Sequence, residues 1–353
     1  MLWQRARRSP IGVEVTSDAV RLLQLEWRGG RGRVAACAEV RREEPDAEEP
    51  DALDPKSAKA VRQALKSAPF RGRRAVINLP SDQAILRHVK VESIKGQALR
   101  DALLFELEDA FPGDTPLVQH LEVGEVMERG ERRHELILLA AGLDQINRYV
   151  EWLEWAGLEP TAIDAEGCAL IRCFTRRRRR SSDGDAHSAI VNIGESVTLM
   201  TITGEEQALF MKQLPIGAGH LYDAIRQRLD LSREDIRVTS GAGDGTADDD
   251  EELAQQIVGS LRLQLDSLSA ELSACLRYHA ASRRSPGGVE LTLCGEGANI
   301  PGVVPTLAAA LDTVIQRPDP FTPAYSGIES SERLAREYAA WSVPLGLALR
   351  EVS

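Results

Sequence analysis

Alternating apolar and polar positions dominate the first forty residues and predict an antiparallel meander of strands. Apolar positions recur over 11–15, 20–27 and 34–40, separated by a polar turn and then by a glycine-rich turn. The same succession of strand, small-residue turn and strand returns over 189–214. This repetition indicates that the chain contains two related half-domains.

Helical periodicity fills the segments between and after the two meanders. Asp54 and Pro55 predict a helix start, since aspartate is a preferred N-cap and proline is favoured in the first turn. Strand and helix patterns then alternate over 74–170, which predicts a mixed α+β unit. Apolar residues three or four apart predict a helical subdomain at about 218–285.

The length of 353 residues favours two lobes rather than one compact domain. A run of five arginines, Arg176 to Arg180, followed by small polar residues, is typical of a linker, because like charges repel and no core can form there. Two interpretations of this run remain open, a solvated interlobe loop and a contact with anionic lipid headgroups. The predicted boundaries are 1–73 for the N-terminal part of the first lobe, 74–170 for the inserted subdomain and the return to the first lobe, 171–187 for the linker, and 188–353 for the second lobe.

Charge and cysteine content narrow the function classes. The net charge of −11 disfavours nucleic acid as a ligand, because the field of the molecule repels phosphate backbones. The five cysteines include no CxxC pair, which favours a reducing compartment. Arg7 and Arg8 are not followed by the apolar run of a signal peptide, and no segment reaches the roughly 18 apolar residues of a membrane span. We therefore expect a cytoplasmic protein whose membrane contact is indirect, through a partner.

Three turns in the sequence share one character, a short bend of small or polar residues after an apolar strand. They occur in IGVEVTSDAVRLL (11–23), IVNIGESVTLMTI (190–202) and LTLCGEGANIPGV (291–303). In this order they resemble the two phosphate loops and the adenosine loop of the actin-like ATPases. The resemblance implies an α/β, two-lobed actin-like ATPase fold built from duplicated ribonuclease-H-like halves, with an inserted α+β subdomain in the first lobe.

Further segments resemble the PilM family of type IV pilus assembly proteins, and the similarity covers nearly the whole chain. They are RRAVINLPSDQAILRHVKV, LRDALLFELEDAFP, LFMKQLPIGAGHLYDAI, DPF at 319–321 and PLGLALREV. FtsA and the cytoplasmic domain of GspL are relatives that share the inserted subdomain. The resemblance implies a scaffold on the cytoplasmic side of the inner membrane, in a pilus or related secretion platform.

The resemblance also implies a site for ATP and magnesium at the three turns. Glu14 and Asn192 stand where the family has metal-ordering and water-ordering aspartates. Glu14 can still order magnesium, but Asn192 cannot ionise and is a poor base, so we expect weak hydrolysis or none. Asp18 and Glu195 place carboxylates in turns that should face phosphate. The residues expected to bind nucleotide are Thr16, Ser17, Gly194, Ser196, Gly295 and Gly297.

PilM-like proteins hold the N-terminal cytoplasmic peptide of PilN, a single-pass membrane protein, between the first lobe and its insertion. Phe105, Phe111 and Pro112 are the predicted lining of this groove, with ordinary helix core and a helix stop as the alternative. Two other functions stay open, a small-molecule kinase and an FtsA-like filament-forming ATPase. A kinase needs a carboxylate base over the acceptor hydroxyl, and no segment supplies an obvious one. An FtsA-like protein would normally carry a C-terminal amphipathic membrane helix, which the sequence ending at Ser353 does not show.

Overall fold

The structure is a computed structural model. It describes residues 7–29, 31–41, 53–113, 115–128, 130–175, 187–204, 207–241, 247–283, 289–321, 328–329 and 338–350. The arginine run and most of the predicted linker lie outside these residues.

The first sheet begins with the predicted antiparallel meander. Its elements up to residue 79 are β1 (Arg7–Arg8), β2 (Ile11–Val15), β3 (Ala19–Arg28), β4 (Arg31–Arg41), α1 (Pro55–Ser67) and β5 (Arg74–Leu79). Strand β2 pairs antiparallel with β3 and parallel with β5, and β3 pairs antiparallel with β4. Helix α1 starts where predicted, because the Asp54 carboxylate accepts a hydrogen bond of 2.6 Å from the Ser57 amide.

The insertion is a three-stranded antiparallel sheet covered by one helix. It consists of β6 (Ile85–Glu92), α2 (Gln97–Phe105), β7 (Leu117–Glu128) and β8 (Glu131–Ala141), with β8 in the centre. Leu103 and Leu107 pack on Val89, Val91 and Leu138 to form its own core. The chain then returns to the first sheet through α3 (Leu143–Trp155), β9 (Glu159–Ala165) and α4 (Glu166–Thr175), and β9 pairs parallel with β5.

The second sheet repeats the first. The elements from residue 187 onward are β10 (His187–Ile193), β11 (Thr198–Gly204), β12 (Gln207–Leu214), α5 (Ala218–Leu229), α6 (Arg233–Gly241), α7 (Ala247–Arg283), β13 (Glu290–Cys294), α8 (Val303–Leu311), β14 (Ile315–Gln316), β15 (Ile328–Glu329) and α9 (Ser342–Ala348). The strand order β12-β11-β10-β13-β14 matches β4-β3-β2-β5-β9 in the first sheet. The predicted duplication and the predicted fold class are therefore confirmed.

The C-terminal segment crosses back to the first lobe. Strand β15 pairs with β4, and α9 packs on Leu23, Leu25 and Val76 of the first sheet. The predicted boundaries assigned the whole of 188–353 to the second lobe, and the structure differs because the apolar face of α9 is buried between the first sheet and α4. Helices α1 and α3 cover the opposite face of that sheet.

Candidate functional site

The three turns singled out in the sequence meet at one place between the lobes. Carboxylate oxygens of Asp18, Glu195 and Glu296, one from each turn, lie within 4.8 Å of one another. A Cβ added to Gly295 would lie 2.5 Å from Asn192 Oδ1, so the third turn packs directly on the second. The duplicated fold therefore places the ends of β2, β10 and β13 around a common cleft.

The first turn is closed by its own side chains. The Thr16 hydroxyl donates to Asp18 Oδ1 at 2.6 Å and accepts from the Ala19 amide at 3.2 Å. The Thr16 amide donates to the Ala19 carbonyl at 2.9 Å. Thr16 thus stabilises a hairpin, and Ser17 is the exposed residue at its tip. Of the two predicted nucleotide ligands in this turn, Thr16 has its hydroxyl committed within the protein.

The second turn is capped by the start of helix α5. The Ala218 amide donates to the Gly194 carbonyl at 2.7 Å, and the Gly219 amide donates to the Glu195 carbonyl at 2.9 Å. Amides at a helix N-terminus are the groups that commonly bind phosphate. Here the amides of Ala218 and Gly219 already donate to carbonyls of the second turn, so neither is available to a phosphate in this arrangement.

The third turn is also used for close packing. A Cβ on Gly297 would lie 2.2 Å from Ile193 Cγ2, so only glycine fits against the second turn. Gly295 has a positive φ of 86°, which glycine adopts without strain. Both predicted glycines are therefore required by the approach of β13 to β10, with or without a ligand.

Arg21 occupies the middle of the cleft. Its Nη2 lies 2.7 Å from Glu296 Oε2, its Nε lies 3.2 Å from Glu39 Oε2, and its Nη1 lies 3.5 Å from Glu14 Oε2. Although burial disfavours its charge, the carboxylates, above all Glu296, raise the pKa of Arg21 well above its usual value. Arg21 is therefore a buried, permanently charged link between the lobes.

Two arginines of helix α6 complete the ion-pair network. Arg237 pairs with Glu296 and, at 3.1 Å, with Asp18, while Arg233 pairs with Glu195 at 2.8 Å. Burial and the neighbouring charge of Asp18 raise the pKa of Glu195 to about 7. Burial acts to raise the pKa of Asp18 as well, but the charge of Arg21, the hydrogen bond from Thr16 and the charges of Arg237 and Arg233 together lower it. We call the seven residues Asp18, Arg21, Glu39, Glu195, Arg233, Arg237 and Glu296 the cleft network.

Glu14 and Asn192 are both buried beside the cleft network. Burial raises the pKa of Glu14 to about 8, because the 3.5 Å contact with Arg21 is too long to offset the loss of hydration. Asn192 donates its amide to Glu166, which also accepts from the Ser81 hydroxyl at 2.7 Å. Asn192 therefore joins the second lobe to the first residue of α4 and to the start of the insertion.

These residues do not fit a magnesium–triphosphate group in the arrangement observed. Asp18, Glu195 and Glu296 place three carboxylates where the three turns meet, and a phosphate bound there would face them, because the nearby arginines are already paired. At an effective dielectric near 20, one carboxylate 4 Å from a phosphate charge costs on the order of 4 kcal/mol. Glu14, the predicted magnesium ligand, is protonated at neutral pH when its pKa is near 8. No chemical step is therefore assigned to a bound nucleotide.

A separate cavity of about 580 Å³ lies where the insertion, the first lobe and the second lobe meet. Its lining is mostly apolar. The polar residues of its lining include Gln119, Asp164, Gln213 and Arg350. Leu117, which lies in the edge strand β7, is 47% exposed. A concave apolar surface with a few polar groups is typical of peptide and ligand sites. We call this cavity the apolar groove; six of its apolar residues are Leu79, Leu86, Leu117, Leu139, Ile163 and Met211.

The predicted groove residues lie elsewhere. Phe105 and Phe111 line a smaller cavity of about 280 Å³ within the insertion, and Pro112 lines neither cavity. Phe111 packs against the core of the insertion, whereas Phe105 is 74% exposed. They were predicted because the segment from Phe105 to Pro112 resembles a PilM-family stretch near the peptide groove, and their role in peptide binding stays a prediction.

Sequence reasoning missed the arginines of the cleft network and most of the apolar groove. Arg21 carries a signal, because a charge within the apolar run AVRLL indicates a buried ion pair when neighbouring positions are core. Arg233 and Arg237 carry none, since they occupy ordinary polar positions of a helix start. The groove is built by residues far apart in sequence, and each of them has the character of common strand core.

The search for membrane-spanning segments gives a negative result: among the described residues, no helix combines the length and apolarity that a span requires.

Comparisons with known proteins agree with the fold. A solved structure described as a PilM–PilN type IV pilus biogenesis complex is similar at a TM-score of 0.76 and 19% identity, covering 98% of this chain and 99% of that one. The ethanolamine utilization protein EutJ from Carboxydothermus hydrogenoformans is similar at a TM-score of 0.55 and 13% identity, covering 97% of this chain and 89% of that one. A family model described as type IV pilus assembly protein PilM matches residues 12–352. The chain therefore belongs to the PilM family of type IV pilus assembly proteins.

Proposed function

We propose that this protein is an adaptor of the type IV pilus assembly platform. It binds the N-terminal cytoplasmic peptide of a PilN-like single-pass inner-membrane protein in the apolar groove. The observation that carries the proposal is this groove of about 580 Å³ at the junction of insertion and lobes. Family membership supports it, as does similarity to a structure described as a PilM–PilN complex. The protein is then cytoplasmic and peripheral to the inner membrane through its partner.

The groove supports peptide binding through its composition. Leucine, isoleucine and methionine side chains dominate the lining, so apolar side chains of a peptide would be removed from water there. Gln119 lines the groove and can pair with peptide backbone groups, whereas the side-chain amide of Gln213 already donates to the carbonyls of Ser81 and Ala84. An extended apolar peptide, held at intervals by polar side chains, is the ligand that suits this surface.

Peptide binding is tested by fluorescence anisotropy with a labelled N-terminal cytoplasmic peptide of a PilN-like protein. Leu117→Asp should weaken binding at least about tenfold, since burial of a leucine contributes roughly 1.5–3 kcal/mol. Leu263→Asp is the matched control, because Leu263 is 80% exposed on α7, outside the groove, and should bind like wild type. Equal affinity of both variants and wild type would contradict the proposal.

A second variant tests the position that the sequence predicted. Phe105→Asp should leave the affinity unchanged, because Phe105 lies in the smaller cavity of the insertion. If Phe105→Asp abolishes binding and Leu117→Asp does not, the peptide binds on α2 and the apolar groove is not the site.

ATP and magnesium enter this proposal only as ligands that must displace the cleft network. Hydrolysis would be weak or absent, because the Asn192 amide donates to Glu166 and cannot accept a proton from water. The same contact disfavours the alternative of a small-molecule kinase, which needs a carboxylate at this position. The adaptor function does not depend on nucleotide.

A further inference from the structure

A second cavity, of about 390 Å³, opens on the first lobe and is lined by arginines. No carboxylate lines it in the part of the chain that the structure describes. The six arginines of the lining are Arg7, Arg8, Arg71, Arg73, Arg74 and Arg350. The cavity lining is therefore positively charged, although the whole molecule has a net charge of −11. We call it the arginine cavity.

Buried polar contacts hold the two arginine-bearing segments side by side. Gln24, which is 1% exposed, donates to the carbonyls of Ser9 at 3.1 Å and Arg71 at 2.7 Å. Its Oε1 accepts from the Arg71 amide at 2.9 Å. Gly72, with a φ of 78°, turns the chain between Arg71 and Arg73. The cavity is therefore a fixed feature of the fold.

Two carboxylates beside the arginine cavity are shared with arginines that do not line it. Glu26 lies 3.5 Å from Arg8, but it also pairs with Arg28 at 3.3 Å and with Arg33. Asp164 lies 2.8 Å from Arg350 and also pairs with Arg172. Each of these carboxylates is thus shared among several arginines. Guanidinium groups that converge with an excess of charge favour a phosphate, which accepts several N–H bonds at once.

Two features point to a phosphate at a membrane surface. Trp27 lines the cavity opposite Arg7 across the β1–β3 pairing, and tryptophan beside arginine suits the headgroup region of a bilayer. Arg350 lines both the arginine cavity and the apolar groove, so the two sites adjoin. A peptide in the groove belongs to a membrane-anchored partner, which brings the arginine cavity near the inner leaflet; this step rests on the proposed function.

We propose that the arginine cavity binds the phosphate group of an anionic phospholipid headgroup. It orients an acidic protein on the membrane, with the side that carries the cavity facing the lipid. Binding is electrostatic and is weakened by salt, because exposed charges are screened within about 10 Å at 0.1 M ionic strength.

Vesicle co-sedimentation of the full chain tests this inference. Wild type should bind vesicles of phosphatidylcholine containing about one third phosphatidylglycerol, and should not bind phosphatidylcholine alone. The variant Arg7→Ser/Arg71→Ser/Arg73→Ser should bind on the order of 100-fold more weakly, at about fivefold for each arginine near the surface. The control Arg100→Ser/Arg262→Ser/Arg277→Ser removes the same charge from exposed sites outside the cavity and should bind like wild type.

Three results would overturn the inference. They are equal binding by the two triple variants, binding of inorganic phosphate or of polyglutamate without binding to anionic vesicles, and binding to uncharged vesicles. The peptide assay separates this inference from the adaptor function. The cavity variant should keep the peptide and lose the vesicles, whereas Leu117→Asp should lose the peptide and keep the vesicles. If wild type binds the peptide but not the vesicles, the lipid proposal fails. If it binds the vesicles but not the peptide, the adaptor proposal fails.

Discussion

Arg21 of the first lobe and Glu296 of the second lobe form an ion pair of 2.7 Å, with side chains only 4% and 7% exposed. A buried pair contributes little net stability when it forms, but removing one partner leaves an unpaired charge in a poorly hydrated site. The pair therefore penalises arrangements that separate the two lobes at this point. It acts in the cleft where the three turns meet.

Breaking this pair should be costly. We expect Arg21→Met to lower the free energy of unfolding by about 3–5 kcal/mol, measured by urea denaturation. A double-mutant cycle of Arg21→Met and Glu296→Gln should give a coupling above about 1.5 kcal/mol. The matched cycle at Lys212 and Glu271, a half-exposed pair at 3.3 Å, should give less than about 1 kcal/mol. Similar coupling in both cycles would show that burial of the Arg21 pair has no energetic consequence.

Nucleotide affinity should rise when carboxylates are removed from the cleft. We expect wild type to show no saturation with a fluorescent ATP analogue and magnesium at millimolar concentration, because phosphate meets Asp18 and Glu195. The double variant Asp18→Asn/Glu195→Gln removes two carboxylate charges, releases Arg233 and leaves Arg237 paired with Glu296 alone, so it should bind on the order of 10- to 100-fold more tightly. If wild type binds ATP with micromolar affinity and the variant binds it equally well, the carboxylates of the cleft network do not weaken nucleotide binding.

The sequence predicted the fold because local signals repeat. The meanders at 11–40 and 189–214 have the same order of strands and turns, and Asp54 and Pro55 mark a helix start by local chemistry alone. The position of the three turns around one cleft followed from that duplication. These features depend on residues close together in the chain.

The chemistry of the site could not be predicted in the same way. Whether Asp18 faces phosphate or an arginine depends on Arg237, which lies 219 positions later. The groove residues Leu117 and Met211 come from β7 and β12, and nothing in either strand indicates the other. Phe105 was predicted to bind the peptide because its segment resembles a PilM-family stretch, and the sequence alone does not show that Phe105 lines a different cavity from Leu117.

Glu14 should make stability depend on pH. Burial raises its pKa from 4.5 to about 8. Between these two pH values the folded state therefore holds a proton that the unfolded state has released. Its contribution to stability is therefore full below pH 4.5 and is lost as the pH rises toward 8. Glu14→Gln should match wild type near the lower end of this range and be more stable by roughly 1–3 kcal/mol at the upper end. Urea unfolding across this range checks the prediction, with exposed Glu151→Gln as the control; a difference that does not grow with pH would contradict it.

Gly346 should be indispensable for the return of the chain to the first lobe. A Cβ at this position would lie 2.0 Å from the Ala169 carbonyl oxygen, which belongs to the backbone of α4 and cannot rotate away. We expect Gly346→Ala to separate α9 from α4 and to lower the free energy of unfolding by at least about 2 kcal/mol, because overpacking strains a buried contact. Gly259→Ala is the matched control: Gly259 is exposed on α7, nothing lies within 4 Å of an added Cβ, and alanine should stabilise the helix by about 0.5–1 kcal/mol. If both substitutions stabilise the protein, α9 does not pack as closely on α4 as the Gly346 contact requires.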